Sequence, residues 1–222
     1  MKLNFKHFRT VLLVPAILLL GACATNRSYI ALDVPSSNAS PTADKVAVID
    51  EIIDSREFQE NPRDPSTPSL KKGESYKLDS VGRLQAIARK RNGYGKAIGD
   101  IQLQPPQNVQ TITRQLITKG LAERGYRVVA PGEAAPDGAL RFKVDIEKFW
   151  AWLNPGFWTL RMDAEIATKV TYGGAKQGSF DVSASGNKHA QTGMEGNWKQ
   201  SYERTFEEYL MSLEAALDKE GI

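Results

Sequence analysis

Apolar residues fall into three regions of different period along the chain. Val11 to Leu20 is a continuous apolar run, Cys23 to Asp44 is rich in Ala, Thr, Ser, Asn and Pro, and from Lys45 onward apolar residues recur with the periods of strands and helices. Lys45-Val46-Ala47-Val48-Ile49-Asp50-Glu51-Ile52-Ile53-Asp54 is β-branched with partial alternation and predicts a first strand. Leu140, Phe142, Val144 and Ile146 alternate with Arg141, Lys143, Asp145 and Glu147, the pattern of a strand buried on one face. The period of two continues from Trp158 through Leu160, Met162, Ala164, Ile166, Thr168, Val170 and Tyr172, turns at Gly173-Gly174, and resumes in Phe180, Val182 and Ala184. Two stretches follow the helical period instead. Val109, Ile112, Leu116, Ile117 and Leu121 share one face, with Asn108 as N-cap and Gly125 as the stop. Trp198, Tyr202, Phe206, Tyr209, Leu213 and Leu217 form the stripe of a C-terminal helix, with Asn197 as the expected cap and Gln200 reaching back.

The intervening segments carry turn chemistry. Residues 55–74 hold Pro62, Pro65 and Pro68 among charges and predict an exposed loop. Tyr76 to Ile87 fits a strand or a short helix; the basic stretch Ala88 to Lys96 then predicts a hairpin whose second arm ends near Leu103, its Asn92-Gly93 tip favouring a type I′ turn. Pro105-Pro106 keeps the next helix from starting earlier, and Tyr126 to Ala130 is a short strand. One-sided strands and one-sided helices bury their apolar faces together in an α+β fold: a mainly antiparallel sheet with two helices packed on one face, forming a single domain over 45–222.

The N-terminus has a different logic. Lys2, Lys6 and Arg9 precede an apolar run of about ten residues, too short to span about 30 Å of hydrocarbon. A positive start, a short apolar core and small residues after it describe a signal peptide over 1–22. Its end, Leu20-Gly21-Ala22-Cys23, resembles the bacterial lipobox, in which the Cys becomes the first mature residue. That resemblance implies a covalent diacylglycerol and an N-acyl chain such as palmitate on Cys23, and two or more chains anchor stably. Residue 24 is Ala rather than Asp, which in an enterobacterial-type system implies the outer membrane, facing the periplasm. Residues 23–44, centred on Pro35-Ser36-Ser37-Asn38-Ala39-Ser40-Pro41, are expected to be a flexible tether.

Charge and cysteine content then exclude several functions. The whole chain has 29 Lys plus Arg against 26 Asp plus Glu, but removing Lys2, Lys6 and Arg9 leaves 26 of each, so no basic excess argues for nucleic acid. A single Cys and two His residues build no disulfide framework, zinc cluster or Cys–His dyad. Gly93-x-Gly95-x-x-x-Gly99 lacks the helix start that a phosphate loop needs. Asp50, Glu51, Asp54, Asp145, Glu147, Asp163 and Glu165 alternate with apolar residues and are expected on a solvated sheet face, which lifts no carboxyl pKa toward acid catalysis. No catalytic residue, metal site or cofactor beyond the lipid is expected.

Two constellations remain. Phe149-Trp150-Ala151-Trp152-Leu153-Asn154-Pro155-Gly156-Phe157-Trp158 places three of the four Trp residues around an Asn-Pro-Gly turn. Alternation buries about half of them against the helices; Phe149, Trp150, Trp152, Phe157 and Trp158 are therefore candidate contacts to a partner or membrane, or else lie under a covering segment. Arg83, Arg89, Lys90, Arg91 and Lys96 have no acid between Asp79 and Asp100. They form either a solvated hairpin or a contact to anionic envelope components, with Arg89, Lys90, Arg91 and Lys96 as the candidates.

The lipobox, the tether, Asp54-Ser55-Arg56, Arg91-Asn92-Gly93-Tyr94-Gly95 and Leu121-Ala122-Glu123-Arg124-Gly125-Tyr126 together resemble the YajG-type bacterial lipoproteins over nearly the whole chain. The resemblance implies an envelope location and a small α/β domain, and it supplies no catalytic residue. The expected function is a non-enzymatic, lipid-anchored accessory protein that binds an envelope protein partner. The alternatives are a module binding lipid, lipopolysaccharide or peptidoglycan, and, from a different class, an envelope glycan hydrolase using two acids.

Overall fold

The computed structural model describes residues 27–42, 44–70, 81–130, 132–156 and 158–222. Cys23 and the signal segment lie outside the described residues, as does Phe157. Among the described residues the chain forms β1 (Ser28–Ile30), β2 (Val46–Asp54), α1 (Val81–Gln85), β3 (Ala86–Arg91), β4 (Ala97–Leu103), α2 (Val109–Glu123), β5 (Arg127–Val128), β6 (Leu140–Pro155), β7 (Leu160–Gly173), β8 (Gly178–Ala190) and α3 (Glu195–Glu220).

The α+β expectation holds, with one sheet of eight strands. The long hairpins β6–β7 and β7–β8 and the shorter β3–β4 are antiparallel. The sheet is nevertheless mixed, because β2 pairs in parallel with β5 and β6, β3 with β6, and β1 with β4. The predicted stripes of α2 and α3 are buried throughout and meet the sheet in one core. A Cβ on Gly120 of α2 would come within 2.5 Å of Leu213 of α3, so the two helices touch on the same face. Asn108 caps α2 in a reciprocal box with Thr111, and Gly125 leaves the helix at φ +82°. The cap expected at Asn197 is displaced. The helix α3 starts earlier, at Glu195 after Met194, and the Asn197 side chain donates to the Thr192 carbonyl instead.

Three further expectations are corrected. First, Ser28–Ile30 lies in the stretch read as tether but forms an edge strand, and Leu32 behind it is buried, with its backbone held at both N–H and carbonyl by Gln107. Secondly, the 55–74 segment is not simply exposed: Pro62, Pro68, Ser69 and Leu70 are buried, and residues 58–70 cover the sheet face opposite the helices. Thirdly, the Asn92-Gly93 tip is a longer turn than type I′. Asn92 donates its N–H to the Lys96 carbonyl and its side chain accepts from the Tyr94 and Lys96 amides, while the positive φ of +77° falls at Gly95.

Two bulges decide which side chains face the helices. The β2–β6 register shifts between Ile49 and Glu51, and the β6–β7 register between Ile146 and Lys148. Each shift reverses the alternation beyond it. In β6, Phe142, Val144 and Ile146 face the helix core, yet after the bulge Phe149 and Ala151 do so, with Phe149 stacked on Tyr202 at 5.1 Å. Trp150 is thereby turned to the other face. There it packs with Leu70 and Ala86, meets Phe58 edge-on at 5.9 Å, and donates its indole N–H to the Pro65 carbonyl.

Asp54, expected among the solvated acids, is instead buried with a 4% exposed side chain, because Arg56 folds back over it. Arg56 is fully buried and uses all five donors: Nε and Nη2 to the two Asp54 carboxylate oxygens at 2.7 and 2.9 Å, Nη1 to the Ala86 and Phe149 carbonyls, and Nη2 also to the Arg83 carbonyl. Arg83 adds a second cation, its Nε 3.7 Å from Asp54, and donates to the Arg56 carbonyl. The Phe58 ring lies 5.0 and 4.8 Å from the two guanidinium carbons. The other strand acids do face outward, pairing across strands in Asp50–Arg141, Glu51–Lys143 and Glu165–Lys148.

Replacing Arg56 with Met leaves Asp54 buried without its bidentate partner and strands three carbonyls; urea unfolding is expected to register a loss of about 3–5 kcal/mol. Gly186→Ala, whose Cβ would stand 2.6 Å from the Thr205 amide nitrogen of α3, should cost about 1–3 kcal/mol in the same measurement. An unchanged midpoint in either variant would contradict the packing described.

Candidate interaction site at the turn end of the sheet

Strand directions bring the two candidate constellations together. β3 and β6 run parallel, with Ala88 opposite Ala151, so the β3–β4 and β6–β7 turns project from the same end of the sheet. A cavity of about 490 Å³ joins them, lined by Arg91, Asn92 and Gly95 from one turn and Leu153, Pro155 and Leu160 from the other. A second cavity of about 540 Å³ lies beside it, between residues 60–63 and 94–97, with Arg63, Arg89, Arg91 and Lys96 on its walls. Together the two cavities are lined by five basic residues, of which Arg63 and Arg91 are common to both, and by a single acid, Glu60, in the second.

The aromatic set divides. Phe149 and Trp150 are fully buried on opposite faces and are core residues, not contacts; the 58–70 cover accounts for Trp150. Trp152 is half-buried, with Lys148 Nζ 5.4 Å from its ring. Trp158 alone of the described members stands out, at 81% exposure. β6 continues to Pro155, so of the described aromatic residues only Trp158 lies beyond its end.

The basic set divides too. Lys90 is buried: its Nζ donates to the Ser28 hydroxyl at 2.7 Å and to Glu195 at 3.1 Å, and Ser28 also donates to Glu195. The Ser28 bond, and after it Lys90, hold the Glu195 carboxyl below the ordinary carboxylate range. This tie of β1 to α3 is therefore intact at neutral pH and is lost as pH falls through that lowered pKa. Arg89 is paired with Asp100 at 3.7 Å. Arg91 donates to the Gly95 carbonyl and to Ser69, and burial, then the neighbouring Arg89, lowers its pKa. Lys96 is exposed.

Two exposed members of the site escaped sequence reasoning. Tyr94 is 98% exposed, and Arg63 comes from the proline-rich segment. Tyr94 was signalled, since an aromatic between Gly93 and Gly95 in a hairpin turn has no core to enter. Arg63 had no such signal, because its place depends on how residues 58–70 cross the sheet. Elsewhere, His189 is exposed, 3.4 Å from the Thr159 hydroxyl. Among the described residues no three His, Cys, Asp or Glu side chains are grouped to hold a metal, and no helix is long and apolar enough to cross a membrane.

No family model and no curated protein matches the chain. Solved structures that resemble it include the following two. One, the crystal structure of an uncharacterized protein, has a TM-score of 0.45 and 7% identity, covering 89% of this chain and 99% of its own. The other, a Xanthomonas campestris protein of family DUF330, has a TM-score of 0.40 and 8% identity, covering 87% and 98%.

Tryptophan emission tests the division of the aromatic set. Trp158→Phe is expected to remove most of the iodide-quenchable emission while shifting stability by no more than about 0.5 kcal/mol. Trp150→Ala should instead cost about 3–5 kcal/mol in urea unfolding.

Proposed function

We propose that this chain is a lipid-anchored, non-enzymatic protein of the bacterial envelope, a YajG-like lipoprotein of the outer membrane that acts by binding. The observation that carries the reading is the sequence of the N-terminus: three bases, a short apolar run and Leu20-Gly21-Ala22-Cys23, with the only cysteine at the acylation position. The turn end supports a binding role, since an exposed Trp158 and Tyr94 beside two open cavities are the features of a contact surface. An accessory role beside an envelope protein partner follows from anchoring plus binding. A second reading, direct contact with anionic lipid or glycan, is favoured by the basic walls of the cavity at Arg63, Arg89, Arg91 and Lys96.

Expression with labelled palmitate tests the anchor. The wild-type chain is expected to incorporate label and to begin at residue 23, whereas Cys23→Ser should incorporate none and retain the precursor mass; label in the variant would reject the assignment. In-cell lysine crosslinking of the anchored protein should recover the same envelope protein repeatedly, and only self-links or random neighbours would reject the accessory role.

A further inference from the structure

The direction of β1 fixes where an anchor on Cys23 would hold the domain. β1 runs parallel to β4, with Ser28 opposite Ile101 and Ile30 opposite Leu103. The chain before Ser28 therefore leaves toward Ala97, the turn end of β4, and Arg27 already reaches back to Asp100 at 3.4 Å. Four residue steps separate Cys23 from Arg27, a reach of at most about 14 Å. The strand from Ile101 back to Ala97 covers about 13 Å at ordinary strand rise. An anchor at Cys23 therefore lies within about 14 Å of Arg27, a reach that takes in the level of the β3–β4 and β6–β7 turns and keeps the membrane within a short span of that side of the domain.

That same end has the composition of an interfacial surface. Tyr94 and Trp158 are the exposed aromatics there, at 98% and 81%, and rings with one polar atom settle at the head-group level. Arg63 and Lys96 are exposed beside them. The cavity they share with Arg89 and Arg91 contains one acid, Glu60. Among the described residues Arg89 Nη1 and Arg91 Nε are buried without a hydrogen-bond acceptor, although Arg89 Nη1 is ion-paired with Asp100 at 3.7 Å. Arg63 and Lys96, exposed, and Arg91, partly buried, are the cations on the cavity wall that a phosphate oxygen can reach. At the opposite end the β7–β8 turn exposes Gly174, Ala175, Lys176 and Gln177, none of them large and apolar.

We infer that the turn end rests on the anionic phospholipid surface of the leaflet that holds Cys23, with a lipid phosphate in the Arg63–Arg89–Arg91–Lys96 cavity and the Tyr94 and Trp158 rings among the head groups. This rests on the acylation of Cys23 proposed above. The protein is attached at two points, and its orientation on the membrane is set by the fold.

Acylation consumes the only thiol, so cysteines introduced into the full-length acylated protein can be labelled selectively. Tyr94→Cys, Trp158→Cys and Ala175→Cys, each bearing an environment-sensitive fluorophore, are reconstituted into phosphatidylcholine vesicles with and without phosphatidylglycerol. Labels at 94 and 158 should shift to the blue and be quenched by nitroxide-bearing lipid, more strongly with phosphatidylglycerol, while the label at 175 stays in water. Arg63→Glu with Lys96→Glu should abolish the phosphatidylglycerol dependence and leave the protein membrane-bound. Labels at 94 and 158 that remain in water on a chain carrying the acyl mass overturn the inference alone; absence of the acyl mass overturns the anchored reading and this one together. A response of the labels at 94 and 158 to inorganic phosphate without vesicles, together with no shift on phosphatidylglycerol vesicles, would identify a free-phosphate site and likewise overturn it.

Discussion

β6 changes neighbours along its length. β2 accompanies it as far as Ile146, where the Ser55 amide makes the last bond, and β3 joins it at Ala151. Between these points the carbonyl of Phe149, whose side chain is fully buried, belongs to neither pairing. A buried carbonyl without a donor costs about 1–3 kcal/mol. The Arg56 guanidinium occupies this gap, donating to Phe149, to Ala86 at the start of β3 and to Arg83 in α1, while Asp54 at the end of β2 balances its charge. One side chain thereby joins the end of one strand, the start of another and the middle of a third. A lysine could neutralise Asp54, but it has neither the reach in three directions nor the five donors that the site uses.

The opposite face follows from the same group. Phe58 sits against the Arg56 and Arg83 guanidinium planes, and its edge meets Trp150, so the knot positions the segment that roofs the second sheet face. That segment in turn brings Arg63 and Pro65 to the turn end, where they line the cavities beside Arg91. The candidate site thus depends on a buried ion pair with which it shares no residue.

Elements whose burial is set by local period were legible in the sequence. α2 and α3 were readable because every apolar residue of each stripe meets the core, and β7 because its alternation is unbroken from Met162 to Tyr172. What was not legible came from pairing over long distances. The bulge after Ile146 exchanges the faces of Phe149 and Trp150, and nothing in Glu147-Lys148 announces it. Asp54 looks like its neighbours Asp50 and Glu51 until Arg56 is seen to fold back on it. The basic hairpin illustrates the same limit: a run without intervening acids suggested one patch, yet Lys90 is buried against Glu195, and Arg89 on the cavity wall is ion-paired with an Asp100 that Arg27 also meets.

β1 shows how a three-residue strand can govern orientation. It adds little area to the sheet, but as a parallel edge strand beside β4 it sets the exit direction of the N-terminal chain. An antiparallel pairing would send that chain toward the Leu103 end, on the far side from Tyr94 and Trp158. The register is held by Lys90 and Glu195 on Ser28 and by Gln107 on Leu32, charged and polar groups contributed by β3, α3 and the approach to α2. Three parts of the core therefore specify where the chain departs. A long flexible tether would make that direction immaterial, because its coil averages over orientations. A span of four residues reaches at most about 14 Å, so with an anchor at residue 23 the position of β1 would limit which surface of the domain the chain can present.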